Sequence, residues 1–350
     1  MKKTPPAPPG GNNREEMLDR GYAALDSDDP KTAHAIGEQL VAADKRDAQG
    51  YRLQAEALLV QDRADEALAL LERGIDRCRD EPLLLAARAE VLLDVFDDPL
   101  EAAPDLERAL KKIADPETAA EVGLLYADAC LRLQQPAAAL AAAEGAAIAL
   151  PEVPDPHYLQ AQALFDLLRF DDALAAVARA VDRDPRFAAA YHLRGEILAF
   201  VDDAPRAQAA FKRARQLDPE AFAPPPSIGE EEFGRIVAEA IDALPPQVAN
   251  YLNNVAIVVD NRPSLELLRA SDPPLTPACL GMFDGTPRPD ERTDDPWTMM
   301  PRAVRLFRDN ILRQCRDRAD VVDVVSTTLL HEVGHFLGLD EDDLVERGLH

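Results

Sequence analysis

Two histidines, His331 and His335, stand four residues apart in the stretch HEVGHFLGLDED, residues 331–342. On a helix that spacing puts both imidazoles on one face, one turn apart, where they can share a cation. Glu332 is rotated by about 100° from His331 and is badly placed to be a third ligand. It is well placed to face a water molecule on that cation. A zinc ion lowers the pKa of such a water to about 7, and a neighbouring carboxylate can take its proton as the oxygen attacks a polarised carbonyl. H-E-x-x-H is the minimal arrangement for this chemistry. With 6 histidines among 350 residues, the pattern arises by chance on the order of 0.01 times, which makes two merely solvated histidines the weaker reading. His34, His157 and His192 lie far upstream and read as ordinary surface or interhelical residues, and His350 as a terminal residue outside the site.

A third ligand has to come from close by, because few residues follow His335. Gly338 permits a sharp turn, and in H-E-x-x-H-x-x-G-x-x-[HDE] the residue three later returns to the metal. Here that residue is Glu341, with Asp342 and Asp343 as alternatives in the same acidic cluster. Tyr251, Arg302 and Arg305 are candidates for stabilising an oxyanion by residue type alone.

The elements that must carry these side chains are legible upstream. DVVDVVSTTLLHEVGHFLG reads as a long helix with Asp320 as N-cap and Gly338 as its end. Apolar residues at Phe233, Val237, Ala240, Ile241 and Leu244 predict a helix over 230–244, stopped by Pro245 and Pro246. The β-branched run Val255–Val259, followed by Asp260, Asn261 and Pro263, predicts a strand. ACLGMFDGTP and RAVRLF are shorter strand candidates, separated by a polar loop from Asp290 to Trp297. Together these make a small α+β domain over 230–350.

The first half repeats itself. Pro151, Pro185 and Pro219 are 34 residues apart, and small residues keep the same register at Ala127, Ala161 and Gly195, at Ala139, Ala173 and Ala207, and at Ala146, Ala180 and Ala214. This resembles the tetratricopeptide repeat, in which small residues let two helices approach, large ones fill the gap and proline stops the second helix. Tyr191, Leu198 and Phe211 are the large residues of the clearest unit. Five to six repeats are expected over 14–219, stacked as a right-handed solenoid, with one inserted residue near Pro99. Residues 1–13 read as a flexible tail and 220–229, containing Pro224–Pro226, as a linker. The expected fold class is multidomain: an all-α tetratricopeptide solenoid followed by a small α+β domain that carries the H-E-x-x-H helix. Such a solenoid is a surface for a protein partner, which the repeat pattern does not name.

Composition narrows the partners. The net charge of −26, from 38 basic and 64 acidic residues, disfavours nucleic acid and anionic membrane. Cys78, Cys130, Cys279 and Cys315 are scattered without a C-x-x-C pair, which points to a reducing compartment. No apolar run is long enough to span a membrane and no secretory h-region stands at the start, so a cytoplasmic protein is expected.

Residues 230–344 resemble the minimal zincin family of metallopeptidases in four stretches: Phe233 to Pro245, Asn254 to Pro263, Leu280 to Pro287 and Thr328 to Leu339. The resemblance implies a zinc site with His331 and His335 as ligands, Glu332 as the base and Glu341 as the third ligand. No methionine turn follows the motif, which sets the chain apart from metzincins. The leading expectation is a zinc metallopeptidase acting on a protein or peptide substrate, with the repeats recruiting or positioning a protein partner. The alternative is a non-catalytic interaction scaffold with a structural or vestigial metal site.

Overall fold

Each helix of the N-terminal half begins and ends where its own residues dictate. The computed structural model describes the backbone of residues 11–244, 255–271, 275–284 and 303–336. Twelve helices among them follow one another in six turn-linked pairs: α1 (Gly11–Asp26) and α2 (Pro30–Ala43), α3 (Ala48–Leu59) and α4 (Ala64–Cys78), α5 (Pro82–Asp94) and α6 (Pro99–Leu110), α7 (Pro116–Arg132) and α8 (Pro136–Ala149), α9 (Asp155–Asp166) and α10 (Phe170–Arg183), α11 (Ala188–Phe200) and α12 (Ala204–Leu217). Helix α1 already starts at Gly11, inside the stretch expected as tail, whose first ten residues lie outside the described residues.

The turn inside each pair carries one left-handed residue: Asp28, Asp62, Asp97, Gln134, Leu168 and Asp202, with φ between 49° and 61°. Four of the six are aspartate, which tolerates that region better than most side chains. In DDP at 28–30 and 97–99 the division of labour is explicit. The first aspartate makes the turn, the second accepts a hydrogen bond from Thr32 N or Glu101 N as N-cap, and the proline fills the first helical turn, where its missing N–H costs nothing. Asp203 caps α12 in the same way through Arg206 N.

Packing follows the small residues. Ala127, Ala139, Ala146, Ala161, Ala173, Ala180, Ala207 and Ala214 are all buried. At Gly195 the approach is closest: a Cβ there would stand 2.7 Å from the Phe211 ring.

Two compact units emerge, Met1–Leu167 with Asp171–Pro185, and Leu168–Phe170 with Arg186–His350. The sixth pair, α11 and α12, therefore belongs with the C-terminal elements. Pro224–Pro226 lie between Leu217, where α12 ends, and Glu230, where the next helix begins. Among the described residues no helix is long and apolar enough to cross a membrane, and the four cysteines are unpaired.

The C-terminal elements are α13 (Glu230–Ala243), β1 (Ala256–Asp260), α14 (Leu265–Ala270), β2 (Gly281–Asp284), β3 (Ala303–Phe307), α15 (Arg308–Gln314) and α16 (Arg318–Phe336). The three expected strands and the two expected helices are present. The short helices α14 and α15 were not foreseen, because fewer than two turns show no apolar period. Strand β3 is central, parallel to β1 with Ala256 opposite Ala303, and antiparallel to β2 with Gly281 opposite Leu306. Val304 and Leu306 pack with Phe233, Ile236 and Val237 of α13 and with Val321, Val325, Leu329 and Val333 of α16 in one core. The cap of α16 differs from expectation. Asp317 accepts from Ala319 N (2.8 Å) and Asp320 N (3.1 Å), so it is the capping side chain, while Asp320 sits in the first turn and accepts from Arg316 N. The expected end at Gly338 lies outside the described residues, as does the loop from Asp290 to Trp297.

Because a methyl at Gly195 must displace the Phe211 ring, Gly195→Ala is expected to lower stability by about 1–2 kcal/mol, despite the better helix former. Gly145→Ala, in an exposed position of α8 with nothing within 4 Å of the new atom, should raise it by about 0.5–1 kcal/mol. Urea denaturation of both variants checks the pair.

Candidate metal centre

The core stripe Val321, Val325, Leu329 and Val333 fixes how α16 is turned about its axis. That rotation decides where the neighbouring side chains go. His331 is half-buried and Glu332 is only 6% exposed, a buried carboxylate beside the expected metal ligand. His335 lies on the same continuous helix, one turn later. Its side chain, together with Gly338, Glu341, Asp342 and Asp343, lies outside the described residues.

Strand β2 forms the wall beside Glu332. A Cβ at Gly281 would stand 2.8 Å from Thr328 Cγ2, 3.0 Å from Arg305 O and 3.5 Å from Glu332 Cγ. Only glycine lets the strand lie this close to the helix. Thr328 turns its hydroxyl back onto its own helix, donating to Val324 O at 2.7 Å, and leaves its methyl toward the strand. The segment leading into β2 is held from behind. Buried Asn310, on α15, donates through Nδ2 to Pro277 O and to Cys279 O, both at 2.8 Å, and Phe307 N donates to Leu280 O at 2.8 Å.

Cys279 shares this crevice. Burial, and then the charge of Glu332, push its thiol up to about 12. It is a neutral thiol at neutral pH and no nucleophile. Of the oxyanion candidates, Arg305 has its guanidinium engaged by Asp260 (3.0 Å) at the end of β1 and Asp284 (3.3 Å) at the end of β2. It ties the two outer strands to the central one. Tyr251 and Arg302 lie outside the described residues. Sequence reading overlooked Gly281, Cys279 and Asn310. A glycine inside a strand pattern was a signal of close backbone approach for the first, and no local signal marks the other two.

Among the described residues no three His, Cys, Asp or Glu side chains converge on one point, and two of the three expected ligand groups are outside that set. The donor chemistry itself fits a zinc-type cation: two imidazoles one turn apart, with a buried carboxylate between them in sequence.

Residues 252–349 match the zincin-like metallopeptidase family, and residues 18–82 and 158–222 match the tetratricopeptide repeat. The chain joins tetratricopeptide repeats to a zincin-like metallopeptidase domain. No curated protein matches it. Among solved structures it is similar to PilW, a widely conserved type IV pilus biogenesis factor (16% identity, TM-score 0.53, 60% of this chain and 96% of that one). It is also similar to pilF of Pseudomonas aeruginosa (15% identity, TM-score 0.51, 65% and 97%). At these identities the likeness concerns the repeat fold alone. The zincin-like domain thus has its motif helix, α16, packed in the core and its candidate base in a crevice walled by β2.

The raised Cys279 titration has a measurable consequence. Burial disfavours the thiolate in the folded chain, so whatever stability the thiol contributes is full below about pH 8.5 and is lost as pH rises toward 12. Alkylation mapped by mass spectrometry at pH 8 is expected to modify Cys279 at least tenfold more slowly in the native chain than in urea.

Proposed function

We propose that the zincin-like domain is a zinc-dependent peptidase and that the repeats bind a protein partner or substrate. The observation that carries this reading is Glu332. This carboxylate is only 6% exposed and stands on the motif helix next to a half-buried histidine and three residues before a second, in the crevice walled by β2. A purely structural metal site closes its coordination with four protein ligands, whereas two histidines and one acid leave a position open.

His331 and His335, with Glu341 as third ligand, are the residues that would hold zinc, and Asp342 or Asp343 are the alternatives for the third place. Zinc there would supply Lewis-acid polarisation of a peptide carbonyl and acidify a water molecule to near neutrality. Glu332 takes the proton at its carboxylate and delivers it to the leaving amine. Its burial excludes competing solvent from that transfer. The backbone of Gly281 lies against its stem, so the carboxylate is oriented before substrate arrives. Strand β2 lies at the edge of the described sheet, and a substrate segment in extended form can add to such an edge through main-chain hydrogen bonds.

Four unpaired thiols accord with a cytoplasmic site of action. The repeats supply what a small peptidase domain lacks, an extended surface on which a folded protein can be held.

Glu332→Gln is expected to retain zinc, measured by elemental analysis, and to lose peptide turnover by a factor of about 100 or more. Turnover retained in that variant removes Glu332 as the base, and a wild-type chain that holds zinc yet cleaves no member of a peptide library favours the scaffold. Glu341→Ala should weaken zinc binding about tenfold or more in competition with a chelator, with Asp340→Ala near wild type. A silent Glu341→Ala beside a damaging Asp342→Ala or Asp343→Ala reassigns the third ligand.

A further inference from the structure

Helix α15 stands between the sixth helical pair and the segment that feeds β2, and two of its side chains connect them. Arg313 lies over the Phe211 ring of α12, its guanidinium carbon 5.7 Å from the ring centre. Nη1 of the same guanidinium donates to Asn310 Oδ1 at 3.3 Å. Asn310 in turn holds the carbonyls of Pro277 and Cys279, two residues before the glycine that packs on Thr328 and Glu332. A second bridge runs alongside. Arg262 donates to Ala199 O in the last turn of α11, where carbonyls lack helical partners and a cation is favoured. Arg262 also stands 3.6 Å from Asp309 of α15, whose N–H donates to Asn261 O at 3.0 Å.

The charges at this junction alternate in sign. Burial pulls Arg313 down, offset by Glu196 of α11 and by Asp309, and burial raises Glu196 against the pull of Arg313. His192, between Phe211 (5.2 Å) and Phe222 (4.9 Å), is pushed down to about 4 by burial and then by Arg313, so its ring is neutral here. A half-buried set of this kind is held by mutual compensation, and removing one member leaves its neighbour's charge uncompensated.

We propose that the sixth helical pair is an integral wall of the zincin-like domain, and that Arg313 is a positioning residue for the Glu332 crevice, acting through Asn310 on residues 277–281. The catalytic consequence rests on the reading of Glu332 given above; the packing consequence does not. The repeats and the zincin-like domain then share an element, in place of a junction at 220–229. Whatever displaces α11 and α12 reaches the crevice through two side chains of one short helix.

The test uses the full chain and amide hydrogen exchange, read segment by segment. Arg313→Met and Asn310→Ala are each expected to speed exchange over 277–284 about tenfold or more, with α3 and α4 unchanged, and Arg313→Lys should restore most of the protection. Alkylation of Cys279 should rise in parallel. If turnover is present, kcat falls with KM little changed. Arg313→Met that leaves 277–284 at wild-type exchange while Asn310→Ala loosens it overturns the proposal, because the sixth pair is then a neighbour and no wall. Should Arg313→Met fail to fold, Phe211→Leu and Glu196→Gln carry the same test with Arg313 in place, and wild-type exchange over 277–284 in both overturns it. A wild-type chain without turnover refutes the peptidase reading alone, since the exchange data still decide the packing.

Discussion

Strand β2 can lie against α16 only where no side chain intervenes, and Gly281 is that place. The missing Cβ brings the strand's backbone to Thr328 and to the stem of Glu332, and the remaining arrangement serves to keep it there. Pairing with β3 sets the register, with Gly281 opposite Leu306, whose side chain enters the core. Asn310 and the Phe307 N–H fix the three carbonyls just before the glycine. Arg305 fastens the far end of β2 to β3 and β1 through Asp284 and Asp260. A strand so constrained is preorganised against the motif helix before anything binds beside it.

The repeats use the same physics at lower stakes. Gly195 under Phe211, Gly37 against Gly50, and buried alanines such as Ala127, Ala161 and Ala173 set how near two helices can come, and the large residues fill what remains. Three of the six turns are made by paired aspartates, one in the left-handed region and the next as cap. Part of the chain's acidity is therefore structural: carboxylates sit at helix N-termini, where the macrodipole and the free N–H groups favour them. A net charge of −26 is in this sense partly a by-product of making many short helices.

A zincin-like domain that borrows its neighbour's last helical pair differs from a catalytic module on a flexible tether. The second compact unit takes in Leu168–Phe170 and then runs from Arg186, well ahead of the proline run at 224–226. Helix α15 explains why the two can be fused. It is short, directly follows the central strand and precedes the motif helix, so its side chains reach the strand lead-in on one hand and α11 and α12 on the other.

The sequence by itself determined what depends on local rules. Proline and alanine spacing gave the repeat period because helical hairpins need a stop and a close crossing at fixed intervals. H-E-x-x-H gave a motif that belongs on a helix, since residues four apart come round to one face when each residue turns by about 100°, and both histidines do stand on α16. β-branched runs gave the strands, and the apolar stripe gave α13. Only the tertiary structure decided which side of α16 faces the core, that Glu332 is thereby buried against Gly281, and that Arg305 is occupied by two aspartates from other strands. It also decided that Asp317 and not Asp320 caps the motif helix, since either aspartate satisfies the sequence rule. Asn310 and Arg313 carry no local signature at all. Their importance comes from partners 31 to 33 and 102 residues away in Cys279, Pro277 and Phe211, and pairings at such separations are fixed by how the elements pack and not by any pattern along the chain.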